Sequence, residues 1–169
     1  MNYYQFGFIF IYILKKIINF STINKYLFIA FFILLSIIVL TLILSATYFL
    51  GIESSNRKVE ENTVLFYVKS LFFAPFIETL IFQFIPIEFF RRFISKDLPV
   101  IILSGLLFGV AHYFNHYLVR DILLTFFLGL VFAYSYVLAL KRNDLNAIIS
   151  VSIIHFGYNL FIVILKTMT

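Results

Sequence analysis

Long hydrophobic runs separated by short charged clusters dominate the chain. A helix of about 20 apolar residues crosses a hydrocarbon core roughly 30 Å thick. Five runs reach about this length, and we predict that each is a membrane-spanning helix: 26–50, 63–90, 99–119, 122–140 and 147–165. The second run contains Pro75 and Pro86, so we expect a kink near Pro75.

The amino-terminal stretch 3–14 is apolar but short, and it precedes Lys15 and Lys16. An interfacial helix is the first expectation here, and a further span over 2–20 with snorkelling lysines is the alternative. The pattern therefore predicts an all-α fold, a polytopic transmembrane helix bundle of about five spans with an amino-terminal interfacial or additional membrane helix. Residues 1–25 would form this first segment and 26–169 the transmembrane domain.

Composition excludes several classes of protein. With 63% hydrophobic and 12% charged residues, the chain does not have the balance of a water-soluble domain. It has no cysteine, which excludes disulfides, thiolate catalysis and cysteine-ligated metals. The net charge of +5 lies mostly in short loops beside the spans, so it indicates topology and not a nucleic-acid partner.

The positive charges divide unevenly between the two ends of the predicted spans. Eight fall on one side: Lys15, Lys16, Lys25, Arg91, Arg92, Lys96, Lys141 and Arg142. The other side has four: Arg57, Lys58, Arg120 and Lys166. Because positive loops stay in the cytoplasm, we expect an integral protein of a bacterial cytoplasmic membrane with the eight-charge side inside and the carboxyl terminus outside.

A few polar side chains interrupt the spans. Ionisable groups in a bilayer are costly unless they are paired or solvated, so Glu78, His112 and His155 are functional candidates. Polar Gln83 and Asn159 accompany them. The alternative is that these groups only hold the helices together by hydrogen bonds.

Counting the helical rise from the cytoplasmic ends gives similar depths for these residues on three helices. Glu78 and Asn159 come out about 18 Å deep, His112 about 20 Å and His155 about 12 Å. The counts predict one shared polar site within the membrane.

Two further patterns carry less weight. His116 lies near Arg120 and Asp121, which favours an interfacial setting, and its spacing from His112 lacks the glutamate of H-E-x-x-H. Gly105 and Gly109 form a G-x-x-x-G pattern, which we expect to let the helix carrying His112 pack against the helix carrying Glu78.

Three motifs in order along the chain resemble the CAAX-protease and bacteriocin-processing family of membrane proteins, which includes the type II CAAX prenyl endopeptidases. That family's first motif, E-E-x-x-x-R after Ala-Pro, corresponds to the stretch 74–83. Its F-x-x-x-H motif matches Phe108 and His112, and its H-x-x-x-N motif matches His155 and Asn159. The protease-like core would cover about 64–165. Two positions depart from the pattern: Thr79 replaces the second glutamate and Gln83 replaces the arginine.

The resemblance implies an intramembrane endopeptidase acting on membrane-associated peptides or proteins. Glu78 would be the general base and His112 would help it to activate a water, while His155 and Asn159 would donate hydrogen bonds to the oxyanion. Gln83 and Thr79 would be auxiliary, with Gln83 as an extra amide donor.

Alternatives remain open for the cofactor and for the activity. No cofactor is favoured, but Glu78, His112 and His155 could instead bind zinc or another divalent metal. A non-catalytic membrane protein with an immunity or scaffold role is the alternative function, followed by a proton-coupled transporter. The substrate and the oligomeric state do not follow from the sequence.

Overall fold

The computed structural model describes residues 20, 22–52, 64–116 and 119–168, and the side chains of all of these except 114–116. The described part of the chain folds into five helices. They are α1 (Lys25–Phe49), α2 (Val64–Phe90), α3 (Asp97–His116), α4 (Val119–Leu140) and α5 (Ala147–Met168). The predicted all-α helical bundle is confirmed. The predicted amino-terminal interfacial helix or sixth span lies outside the described residues.

Four helices are long and apolar enough to cross a membrane: α1, α2, α4 and α5. The apolar part of α3, Asp97–Tyr113, is shorter. With 20 residues, α3 as a whole is about 30 Å long, which is close to the thickness of a hydrocarbon core.

Two predicted boundaries are wrong at the ends of α3 and α4. We placed the start of the third span at Pro99, but α3 begins at Asp97, because a proline is tolerated in the first helical turn, where its missing N–H has no partner to lose. We placed Val119 in the third span, but it begins α4. The acidic Asp121 then lies in the first turn of α4, where it complements the positive end of the helix dipole.

Helix α4 is the centre of the bundle, since it packs against each of the other four described helices. Its buried residues include Phe132 and Ala133, which are completely inaccessible. α1 contributes Phe28 and Phe32 to the same core, and α5 contributes Val151. The side chains that carry chemistry therefore lie around a central helix that itself has few polar groups.

The glycines of α3 serve its contact with α4. A Cβ atom added at Gly109 would lie 3.2 Å from the Cα of Phe126, and one at Gly129 would lie 3.0 Å from the Cα of Gly105. We expected Gly105 and Gly109 to pack against the helix of Glu78, but they face α4. At these positions the backbones of α3 and α4 approach too closely for a side chain to fit between them.

Charged contacts join the helix ends at one end of the bundle. Asp97 at the start of α3 pairs with Arg91, at 2.8 Å, and with Lys141 after α4. These cations belong to the group of eight that we placed on one side.

Arg142 ties the connection between α4 and α5 to the segment before α1. Its guanidinium is buried and donates hydrogen bonds to the backbone carbonyls of Phe20, at 2.8 Å, and Ile23, at 2.7 Å. It also pairs with Asp144 at 2.7 Å, and this hydrogen bond lowers the pKa of the Asp144 carboxyl below its ordinary value. These hydrogen bonds satisfy the buried Arg142 guanidinium and hold this end of the bundle together.

Candidate active site

Helix α2 is interrupted by two π turns, Lys69–Phe73 and Thr79–Phe84. In a π turn the N–H of residue i bonds to the carbonyl of residue i−5, and one proline follows two residues after each of these turns. The kink near Pro75 stays a prediction, while one π turn precedes Pro75 and a second precedes Pro86. Glu78 is the last residue of the short α-helical segment between them. π turns often mark functional sites, and here they lie on both sides of the acid.

Neighbouring helices donate hydrogen bonds to α2 at both π turns. The Asn159 side-chain amide on α5 donates to the Ser70 carbonyl at 2.9 Å. The Ser104 hydroxyl on α3 donates to the Phe82 carbonyl. Because lipid offers no competing donors, such bonds fix the position of α2 between α3 and α5.

Glu78 meets both histidines of the predicted site. Its Oε2 atom lies 3.9 Å from Nε2 of His112 on α3 and 3.6 Å from Nε2 of His155 on α5. The side chain of Glu78 is 26% exposed and that of His112 is 21% exposed, while His155 is only 5% exposed. The structure thus brings one carboxylate and two imidazoles together in a partly accessible site.

The depth counts placed Asn159 closer than His155 to the depth of Glu78. The contacts instead put His155 beside Glu78. Asn159 lies about one helical turn farther along α5 and contacts the first π turn instead. A π turn holds more residues than an α turn, so α2 rises less per residue than an ideal helix. Glu78 is therefore shallower than a count at the α-helical rise places it.

Aromatic rings and a backbone carbonyl orient the two imidazoles. Nδ1 of His112 lies 2.9 Å from the Phe108 carbonyl. Since a carbonyl only accepts, Nδ1 is the donor in this bond and Nε2 is directed towards Glu78. The ring of His155 stacks on Phe132 with a centroid distance of 4.5 Å. Phe108 contacts both imidazoles, with centroid distances of 4.4 Å to His112 and 5.9 Å to His155.

The two positions that depart from the motif are completely buried. Thr79 and Gln83 are inaccessible, and the Thr79 hydroxyl and both polar atoms of the Gln83 amide lack a hydrogen-bond partner within the described part of the chain. The Ser152 hydroxyl oxygen and Nδ1 of His155 are also buried atoms without a hydrogen-bond partner within the described part of the chain. The predicted auxiliary donor Gln83 therefore lies in the protein interior.

Sequence reasoning missed several residues of the site. Ser70 and Ser104 join the π turns to the neighbouring helices, Phe132 supports His155, and Ser152 lies one turn before it. The spacing of Ser152 from His155 was the one available signal, because residues three apart share a helix face. The side chain of His116 lies outside the described residues.

An apolar groove of about 410 Å³ runs between α2 and α5 beside this site. Its lining includes Phe76, which lies two residues before Glu78, and Ser152 and Phe156, which flank His155 on α5. The groove follows the two helices that carry Glu78 and His155, and neither of these two side chains lines it.

Within the described ranges, no group of three or more His, Cys, Asp or Glu side chains has an arrangement that could hold a metal ion. Use of a cofactor stays a prediction.

Comparisons with known proteins give one match. A family model described as type II CAAX prenyl endopeptidase Rce1-like matches residues 60–161, which is more than half of the 169-residue chain. No curated protein and no solved structure matches. The matched region contains Glu78, both histidines that face it and Asn159. The chain is an integral membrane protein that belongs to the type II CAAX prenyl endopeptidase Rce1-like family.

Proposed function

We propose that this protein is an intramembrane endopeptidase that cleaves membrane-associated peptides or proteins with a water activated by Glu78. Membership of a protease family supports the reaction class. The observation that carries the proposal is the placement of one Glu78 oxygen 3.9 Å and 3.6 Å from Nε2 of His112 and His155.

These two distances are longer than direct hydrogen bonds, and separations of this kind are commonly bridged by water. A water held between Glu78 and His112 gives its proton to the Glu78 carboxylate while its oxygen attacks the scissile carbonyl. The same proton then passes to the leaving amine. His155 donates from Nε2 to the developing oxyanion.

The surroundings of Glu78 suit a substrate that lies in the membrane. Lipid offers no hydrogen bonds, so a peptide must reach the carboxylate along an apolar path. The groove between α2 and α5 is apolar and follows the helices of Glu78 and His155, with Phe76 and Phe156 in its lining. A membrane-embedded peptide with an apolar segment beside its scissile bond fits this arrangement.

The proposed mechanism uses no metal. Glu78 supplies the base and the imidazoles supply the hydrogen bonds, so each step has a group in the chain. Zinc is the alternative that the sequence left open, but Glu78, His112 and His155 as described do not form a metal-binding group.

The buried, unpaired side chains of Thr79 and Gln83 favour a second candidate function. Both replace charged residues of the motif, and a family member without activity could act as a membrane scaffold or immunity factor.

The test compares membranes of cells that carry wild-type protein or the Glu78→Gln variant, with peptides identified by mass spectrometry. Glu78→Gln keeps the shape of the side chain but removes the base, so we expect uncleaved membrane peptides to accumulate and their products to fall by about 100-fold or more. Glu88→Gln, on the same helix, is the matched control and should retain processing.

The metal content of the wild-type protein is measured after its purification from the same membranes. Equal processing by wild type and Glu78→Gln at equal protein levels would favour the scaffold function. Stoichiometric zinc, lost together with activity on chelation, would replace the metal-free mechanism by the metal-dependent one.

A further inference from the structure

The Ser70 carbonyl lacks a donor from its own helix. In the first π turn the Ala74 N–H donates to the Lys69 carbonyl, five residues back. The next pair in this register is Pro75 and Ser70, and proline has no N–H. A backbone carbonyl left in this state within a membrane has no water to replace the missing donor.

The donor comes from another helix. Nδ2 of Asn159 on α5 lies 2.9 Å from the Ser70 carbonyl oxygen and donates the hydrogen bond that Pro75 does not supply. The amide has two N–H groups, and this contact uses one of them.

The same contact ties together the two helices that form the site. Glu78 lies three residues after Pro75, at the end of the segment Ala74–Glu78. His155 lies one turn before Asn159 on α5. A hydrogen bond between Asn159 and Ser70 thus fixes the segment that carries Glu78 against the helix that carries His155, whose Nε2 lies 3.6 Å from the carboxylate.

We propose that Asn159 is a positioning residue: it replaces the backbone donor that Pro75 lacks, and it thereby holds Glu78 at its distance from His155. This role rests on the proposed function, and it differs from that of an oxyanion donor, which would touch the substrate.

The second π turn supplies a matched control. There the Ile85 N–H donates to the Leu80 carbonyl, so the next pair in this register is Pro86 and Ile81, and the neighbouring Phe82 carbonyl accepts a hydrogen bond from Ser104 on α3. Pro86→Ala therefore restores a backbone N–H at a site that Asn159 does not serve.

The first arm of the test measures thermal unfolding of the purified protein in detergent. Asn159→Ala should lower Tm by about 3 °C in the wild-type background, which is the effect of one lost hydrogen bond in a chain of this size. In the Pro75→Ala background the backbone supplies a donor to Ser70, so the same change should lower Tm by less than about 1 °C. In the Pro86→Ala background the full decrease should remain. Equal decreases in the Pro75→Ala and wild-type backgrounds, or no decrease in either, would overturn the proposal.

The second arm measures cleavage of a peptide that accumulates in Glu78→Gln membranes. Asn159→Ala should lower kcat by about 10-fold with little change in KM, and by less than about 3-fold in the Pro75→Ala background. An oxyanion donor would instead cost about 100-fold or more in both backgrounds. Equal losses in both, with cleavage still dependent on Glu78, would overturn the positioning role alone.

Cleavage that persists in Glu78→Gln would overturn the proposed function and the positioning role with it. If Pro75→Ala by itself abolishes cleavage, the unfolding measurement decides, because it does not require activity.

Discussion

Gln83 has the largest unmet hydrogen-bonding capacity among the described residues, with two unpaired atoms, and Thr79 has one. Both are completely buried on α2, and their side-chain polar atoms have no described partner. A buried donor or acceptor left unpaired costs about 1–3 kcal/mol, whereas an apolar side chain of the same shape does not incur this cost. The positions where the sequence departs from the family motif are thus also positions where stability is lost.

Replacing Gln83 with an apolar side chain of similar volume should not destabilise the protein. We expect Gln83→Met to leave Tm unchanged or to raise it by a few degrees, because it removes two unpaired polar atoms and fills the same space. Gln83→Ala is the control, and it should lower Tm because it leaves a cavity. Thermal unfolding in detergent measures both. A decrease in Tm of more than about 3 °C for Gln83→Met would show that the amide has a partner.

At the scale of the element, the form of α2 and the contact between α3 and α4 position the site. The π turn Thr79–Phe84 lowers the rise of α2 between Phe90 and Glu78, and Glu78 lies beside His155. The glycines of α3 let it approach α4 closely, and Phe108, one residue before Gly109, supports both histidines. The geometry of the site thus depends on backbone features as much as on the side chains.

The contact between α3 and α4 makes a prediction about two glycines. At Gly109 an added methyl group would meet the backbone of Phe126 at 3.2 Å, whereas at Gly157 the three nearest atoms belong to the Ile33 side chain, the closest being Cδ1 at 2.6 Å. Gly109→Ala should therefore cost about 1–3 kcal/mol in the free energy of unfolding, because backbone atoms must move apart. Gly157→Ala is the matched control and should cost less, since a side chain can change its rotamer. Denaturation in mixed micelles compares them, and an equal or smaller cost at Gly109 would contradict the close approach.

At the scale of the whole molecule, a cluster of ion pairs and buried hydrogen bonds gathers at one end of the bundle. Asp97 pairs with Arg91 and Lys141, and Arg142 binds the segment before α1. The positive-inside rule predicts that this end faces the cytoplasm.

The orientation can be tested by labelling, because the chain has no cysteine of its own. Asn143, in the connection before α5, and Thr167, in the last turn of α5, are both exposed, so single substitutions Asn143→Cys and Thr167→Cys form a matched pair. A membrane-impermeant maleimide added to intact cells should label Thr167→Cys and leave Asn143→Cys unlabelled until the cells are opened. The reverse pattern would invert the topology.

The sequence by itself determined the helical membrane fold and the approximate extent of the spans, because hydrophobic length and interrupting charges act locally along the chain. It also singled out Glu78, His112 and His155, because ionisable groups are rare within such runs. It did not predict the π turns, whose register depends on donors from other helices, as the contact between Asn159 and Ser70 shows.

Only the tertiary structure decided which helices touch and which polar group meets Glu78. The partner of Gly105 and Gly109 is α4 and not α2, because small residues allow a close approach but do not choose the helix that makes it. His155 and not Asn159 faces the carboxylate, whereas a depth counted at a uniform rise, without the π turn Thr79–Phe84, matched Asn159 to Glu78. Spacing along a chain gives the face and the approximate depth of a residue, and the packing of the other helices decides what that face meets.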